Sequence, residues 1–121
     1  MLGGAESEVD ASDLEAHTRY EGYSHHDPTC RSFWQVVREM SPEDRSLLLR
    51  YVTSCSRPPL LGFKDLQPAF TLARSNRPMT DLPPAHSCFN KLDLPAYGED
   101  VETLRSKLLL AIRSGSGFDM S

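Results

Sequence analysis

Cys30, Phe33, Trp34, Val37 and Met40 recur at three- and four-residue spacing, which places them on one face of a helix. Asp27-Pro28 precedes that face. An N-cap aspartate accepts from free backbone amides, and a proline at the first helical position loses no hydrogen bond, so a helix is predicted to open there. Ser41-Pro42-Glu43-Asp44 repeats the start signal. Its acidic residue three positions after the cap serine is spaced to reach back, as in a capping box. The second helix carries Leu47, Leu48, Tyr51 and Val52 and is expected to end near Cys55, because Pro58-Pro59 cannot continue it. A third helix is predicted from Val101 to Arg113, with Val101, Leu104, Leu108, Ala111 and Ile112 as its core stripe and Gly115 as its stop.

Between the helices the period changes. Asn90-Lys91-Leu92-Asp93-Leu94 alternates, so Leu92 and Leu94 point to one face of a strand that Pro95 ends. Phe70-Thr71-Leu72-Ala73 is a second candidate strand, and the polar run from Arg74 to Thr80 reads as turns. Leu60 to Gln67 is a loop pivoting on Gly62-Phe63. Residues 1–24 are polar and acidic, with Ser12-Asp13-Leu14-Glu15 able to cap one short helical turn. Tyr20 to His26 shows no period and reads as a linker or hinge. Gly117 to Ser121 reads as a last short strand or a mobile end. Two helices, strands, a helix and a final short segment predict a small α/β or α+β domain.

Composition narrows the function classes. The 121 residues fit one small domain, with 13 basic against 17 acidic side chains and a net charge of −4. No basic block suits a phosphate backbone, so nucleic acid is not an expected partner. The longest apolar run, Leu108 to Ile112, is too short to span a bilayer, and the start lacks a charged-then-apolar leader. Three cysteines, an odd number, stand at Cys30, Cys55 and Cys88 without CxxC or paired Cys/His spacing. That pattern predicts a reduced, intracellular protein, neither disulfide-stapled nor organised by zinc. The expected location is cytoplasmic, with the nucleus as a second site, and no cofactor is expected.

Chemistry concentrates in Leu82-Pro83-Pro84-Ala85-His86-Ser87-Cys88-Phe89-Asn90. A thiol in a polar, proline-started loop is available for activation, unlike one on an apolar helix face. Cys88 is therefore the candidate nucleophile, able to carry an acyl group as a thioester; a half-buried structural thiol is the plainer role. If the segment is extended, His86 shares a side with Cys88 and is compatible with a base or an orienting group. A histidine that only hydrogen-bonds its loop is the preferred reading of the residues alone. Cys30 and Cys55 read as structural, Phe33 and Trp34 as core anchors. His25, His26 and Asp27 read as a solvated linker beside a helix cap, not a metal site. A cysteine protease is disfavoured, because no third partner or sizeable cleft is evident. Phe118, near the chain's end, is either buried in its own domain or docked on a neighbouring surface.

The order of these pieces resembles the C-terminal lobe of a HECT-type ubiquitin ligase. Tyr20-Glu21-Gly22-Tyr23 resembles the hinge between that family's two lobes, and Phe33-Trp34 its aromatic pair in the lobe's first helix. Tyr51-Val52-Thr53-Ser54, Ser56-Arg57-Pro58-Pro59 and Gly62-Phe63 resemble a Phe-Val-Thr-Gly-Ser-x-x-x-Pro-x-x-Gly-Phe run. The Cys88 segment resembles Leu-Pro-x-x-His-Thr-Cys-Phe-Asn. Leu92-Asp93-Leu94-Pro95-Ala96-Tyr97, Leu104 to Ile112 and Gly117-Phe118 resemble the family's segments on the C-terminal side of its cysteine.

The resemblance implies a two-layer fold, a small mixed sheet with helices packed on it. It implies a division into the tail end of the N-terminal lobe (1–19), the hinge (20–24, with Glu21 and Gly22) and the C-terminal lobe (25–121). It also implies a transthiolation: a ubiquitin-conjugating enzyme passes ubiquitin to Cys88, and a lysine of a protein substrate then attacks the thioester. Phe118 is implied in the transfer step, His86 falls beside the cysteine, and Asp119 is placed to steer or deprotonate the incoming lysine. Three departures stand out. Ser87 replaces a Thr, Pro84 stiffens the approach, and Cys55 is taken to stand at the family's Gly. The family docks its conjugating enzyme on a larger N-terminal lobe, so this chain alone is expected to be a weak ligase. The alternative is a non-catalytic module that binds ubiquitin or another partner.

Overall fold

The computed structural model describes residues 9–55 and 57–114. The predicted stop at Gly115, the tail from Gly117 and the site residues Phe118 and Asp119 lie outside the described residues. Within them the order is α1 (Ala11–Ala16), β1 (Arg19–Glu21), α2 (Pro28–Glu39), α3 (Pro42–Thr53), a 3₁₀ turn at Phe63–Asp65, β2 (Thr71–Ser75), β3 (Ala85–His86), a 3₁₀ turn at Ser87–Phe89, β4 (Lys91–Pro95) and α4 (Val101–Ser114). The strands form one mixed sheet in the order β1-β2-β4-β3. β1 and β4 run parallel to β2, while β3 runs antiparallel to β4.

The helical stripes become the core. Cys30, Phe33, Trp34 and Val37 from α2 meet Leu48 and Val52 from α3, Leu104, Leu108 and Ile112 from α4, and Leu72, Leu92 and Leu94 from the sheet in one buried cluster. Burying a side chain of this size contributes about 1.5–3 kcal/mol. Val9, Ala11 and Leu14, ahead of β1, belong to the same cluster. The predicted α/β class with helices packed on a small mixed sheet is what the structure contains.

Several local readings change. The short first helix is capped by Asp10, whose carboxylate accepts from the backbone N–H groups of Ser12 and Asp13 at 2.9 and 3.3 Å, rather than by Ser12. The stretch that shows no period contains β1, a three-residue strand too short to show one. Asp27 is the N-cap of α2, but its side chain accepts from Ser24 N–H at 2.6 Å instead of from the helix's own amides. Ser41 caps α3 as predicted, accepting from Asp44 N–H at 3.1 Å. The Asp44 carboxylate does not complete the box; it is held by Arg113 of α4 at 2.8 and 3.2 Å. β2 begins one residue later than expected and takes in Arg74 and Ser75, residues whose polarity suggests a turn.

The end of α3 corrects the placement of a departure. Its C-cap is Ser54, in the left-handed region at φ 68°. Counted along the run from Tyr51 to Phe63, Ser54 is also the residue at the family's Gly. Cys55, one position on, is not. A glycine is favoured at this place because it takes the left-handed conformation without a Cβ penalty.

Candidate active site

The Leu82–Asn90 segment is fixed at several atoms on its way to Cys88. The Tyr51 hydroxyl, from the last turns of α3, donates to the Pro83 carbonyl at 2.7 Å. The backbone N–H of Asp93 donates to Pro84 O at 2.8 Å. β3 then pairs Ala85 with Leu92 and His86 with Lys91. The chain reverses over the Ser87–Phe89 turn and Asn90, which sits in the left-handed region at φ 53°. Asn90 is buried, and its side-chain amide donates to Pro68 O at 2.6 Å. An asparagine tolerates this conformation, which explains the residue type at the point where β4 must start. α3 packs against the turn, β3 and β4.

Cys88 is therefore at the tip of a tight hairpin. Its thiol is free and exposed. The neighbouring Phe89 is also exposed, at 62 %. A surface cysteine on a turn braced from below is open to reagents from solvent.

His86 does not stand beside Cys88 in the way an extended segment would place it. The strand ends at His86, and Cys88 lies on the 3₁₀ turn, so the two no longer share a strand face. His86 instead faces across to β4. Lys91 is its cross-strand partner, and Asp93, two residues on, lies on the same face, opposite buried Leu92 and Leu94. His86 Nε2 is 2.8 Å from Asp93 Oδ2. A carboxylate only accepts, so Nε2 carries the proton of this bond. Asp93 is not among the site residues expected from the sequence, although the alternation through β4 already separates it from the leucines.

The proposed hinge meets the same sheet. Glu21 ends β1 and its carboxylate is 3.0 Å from Lys91 Nζ. Gly22 follows at φ +79°, and a Cβ there would lie 2.9 Å from the Arg74 Cβ. Only glycine fits that turn without displacing β2. Tyr23 Oη donates to Leu94 O at 2.8 Å, and Arg74 lies 5.6 Å from the centre of its ring.

The other candidates separate cleanly. Cys30 is buried, and desolvation, followed by the Asp27 charge, pushes its thiol from 9.0 up to about 12, which keeps it protonated and inert. Cys55 is exposed, not the structural thiol that its helix-end position suggests. Phe33 and Trp34 are buried, with Trp34 Nε1–H donating to Tyr20 Oη at 3.0 Å. His25 Nε2 lies 3.1 Å from Glu15 Oε2, and the other oxygen of Glu15 is 2.9 Å from Arg38 Nη1. Among the described residues no three His, Cys, Asp or Glu side chains are arranged to hold a metal ion. Among them, too, no helix is long and apolar enough to cross a membrane.

The HECT-domain (ubiquitin-transferase) family model matches residues 1–121. The chain belongs to the HECT family. Its similarity to curated HECT relatives runs through its whole length. It is 45 % identical over 122 residues, covering 100 % of the chain, to a probable E3 ubiquitin protein ligase of Schizosaccharomyces pombe, of which it spans 12 %. It is 42 % identical over 123 residues, covering 98 % of the chain, to the E3 ubiquitin-protein ligase RSP5 of Chaetomium thermophilum, of which it spans 15 %. A second Schizosaccharomyces pombe protein, the E3 ubiquitin-protein ligase pub3, is 42 % identical over 123 residues and is spanned to the same 15 %. The HECT chain thus covers a small part of the length of these relatives.

Proposed function

We propose that this chain is the acyl-carrying lobe of a ubiquitin-protein ligase. Ubiquitin arrives on a conjugating enzyme. The Cys88 thiolate attacks the thioester carbonyl and displaces the enzyme's thiolate, so that ubiquitin is held as a new thioester. The amine of a substrate lysine then attacks that carbonyl, an amide forms, and Cys88 leaves as a thiolate. Splitting the transfer through a good leaving group is the chemical use of a cysteine here. The observation that carries this reading is the exposed Cys88 thiol at the tip of a braced hairpin, in a chain matched end to end by a ubiquitin-transferase family. Residues 1–19 as the tail of an N-terminal lobe, residues 20–24 as the hinge, and supporting roles for Phe118 and Asp119 belong to the same proposal.

The test is a ubiquitin adduct on a denaturing gel, formed with activating and conjugating enzymes by a ligase carrying this chain. The expected adduct disappears with thiol reductant and is absent in Cys88→Ala, whose fold is little changed because the side chain is exposed. A Cys88→Ala variant with wild-type ligase activity would establish the non-catalytic binding module instead. The isolated chain is expected to charge slowly from a conjugating enzyme; fast charging would show that no further docking lobe is needed.

A further inference from the structure

The residues on the N-terminal side of the proposed hinge are packed on this lobe. Val9, Ala11 and Leu14 are buried in the common core. β1 lies at the edge of the sheet and pairs with β2 through Arg19, Tyr20 and Glu21. Polar contacts fasten the same segment from other directions. The Asp13 carboxylate accepts from Phe63 N–H at 2.8 Å. Arg45 of α3 donates to Val9 O at 3.3 Å, and the Trp34 indole N–H of α2 donates to Tyr20 Oη at 3.0 Å.

The residues on the other side of Gly22 are held by the same sheet. Tyr23 Oη donates to Leu94 O of β4 at 2.8 Å, and the Arg74 guanidinium of β2 lies over its ring. Ser24 N–H donates to Asp27 Oδ2 at 2.6 Å, at the cap of α2. A chain fixed to one sheet on both sides of a residue cannot pivot at that residue, so one side must let go first. The sides are unequal. Tyr23 leads directly into α2, whose Phe33 and Val37 are fully buried. β1 is a three-residue edge strand, and the six-residue α1 is too short to hold its shape undocked. The side that can open is Val9–Glu21.

We infer that Val9–Glu21 is a releasable strap: docked on β2 and α2 it makes residues 20–24 rigid, and that stretch becomes a pivot only when the strap leaves. This rests on the reading of residues 20–24 as a hinge and is independent of the chemistry of Cys88. Opening breaks the β1–β2 pairing, frees Phe63 N–H and uncovers the indole of Trp34, the only tryptophan of the chain. Docked, the segment belongs to this lobe; released, it is available to a lobe on its N-terminal side. Two amides report closure from separate contacts. Arg19 N–H donates to Phe70 O at 2.8 Å, and Phe63 N–H donates to Asp13. A strap that opens as one unit exposes both together.

The test uses the whole 121-residue chain. Amide exchange is read at Arg19, Phe63, Leu92 and Leu94, and backbone nitrogen relaxation at Gly22, Tyr23 and Ser24. In wild type, Arg19 and Phe63 are expected to be protected, less than Leu92 and Leu94, with order parameters of about 0.85 at residues 22–24. Asp13→Ala is expected to speed exchange about tenfold at Phe63 and also at Arg19, which Asp13 does not touch. Adding Leu14→Ala, a buried truncation, is expected to speed both by at least a further ~30-fold. In that double variant the order parameters at residues 22–24 are expected to fall below about 0.6, and acrylamide to quench Trp34, while Leu92 and Leu94 stay protected. Mobile residues 22–24 in wild type beside a protected Arg19 overturn the strap and leave the hinge standing. Rigid residues 22–24 in the double variant, with Arg19 and Phe63 exchanging freely, overturn both. If the double variant unfolds outright, Asp13→Ala decides. Faster exchange at Arg19 and Phe63 over unchanged Leu92 and Leu94 upholds the strap. Equal acceleration at all four, or at Phe63 alone, overturns it.

Discussion

The Tyr51 hydroxyl donates to the carbonyl of Pro83 across 2.7 Å, tying the end of α3 to the proline approach of the Cys88 hairpin. Tyr51 is buried, and desolvation raises its phenol, so it stays a neutral donor. Tyr51→Phe keeps the ring and leaves the Pro83 carbonyl short of a partner in a site closed to water. The expected loss is about 1–3 kcal/mol of stability. Cys88 is also expected to react faster with a bulky maleimide as the approach loosens. Chemical denaturation and labelling kinetics measure the two effects separately.

Alkaline pH is expected to destabilise the fold more steeply than its exposed groups alone would. Burial raises the phenols of Tyr20, Tyr23, Tyr51 and Tyr97 above 10.0 and moves the Cys30 thiol from 9.0 to about 12. For each, the folded state holds its proton more tightly than the unfolded state. The unfolded chain therefore binds fewer protons once pH passes the ordinary values, and stability falls with rising pH. The contribution is complete below about pH 9 and is lost as pH climbs through the folded values. Denaturant midpoints measured from neutral to about pH 11 are expected to fall throughout the upper part of that range. Tyr97→Phe is expected to lower stability at neutral pH, because its hydroxyl donates to Asp81 O at 2.8 Å, yet to flatten the alkaline slope.

Acid acts through a different pair. Asp44 lies below its ordinary 3.8, first because Arg113 hydrogen-bonds its carboxylate and despite the opposing effect of partial burial. A depressed folded value means that the stabilisation is present above the ordinary carboxylate range and is lost as pH falls through the folded value. Asp44→Asn is expected to lower the thermal midpoint at neutral pH and to make it less sensitive to acid below about pH 4. A neutral-pH midpoint equal to wild type would show that the α3–α4 link contributes nothing.

The parts of this architecture that are legible in the sequence are those with a long repeating pattern. α2, α3 and α4 each offer several apolar residues at helical spacing, and Leu92 and Leu94 give β4 a clear inner face. β1 and β3 have three and two residues, too few for an alternation to repeat, and are defined only by their partners β2 and β4. That is why Tyr20 reads as linker and why the sequence aligns His86 with Cys88 instead of with Asp93. Cys88 is visible because its residue type and its loop are local facts. The Asp93–His86 and Glu21–Lys91 contacts require strand register, which no local pattern carries. Cys55 reads as structural for a similar reason: helix-end position alone does not determine exposure.

The backbone at Ser54 and Gly22 gives two opposite expectations from one principle. Both residues have positive φ, 68° and 79°. A side chain in the left-handed region costs about 1–2 kcal/mol. Replacing it by glycine returns that strain, less about 0.4–1 kcal/mol for the greater freedom of the unfolded chain. Ser54→Gly is thus expected to stabilise the fold by roughly 0.5–1 kcal/mol, a rise of about 2–4 °C in Tm for a domain of this size. Gly22→Ala adds the strain and forces a methyl against the Arg74 Cβ, 2.9 Å away, so the loss is expected to exceed about 1–2 kcal/mol. Because Arg74 lies in β2, the clash pushes β1 from its partner, and amide exchange at Tyr20 and Glu21 is expected to accelerate before that of Leu92 and Leu94. Equal effects of both substitutions, or protection of β1 unchanged in Gly22→Ala, would mean that the turn after β1 absorbs a side chain freely, and a glycine would not be needed at the proposed hinge.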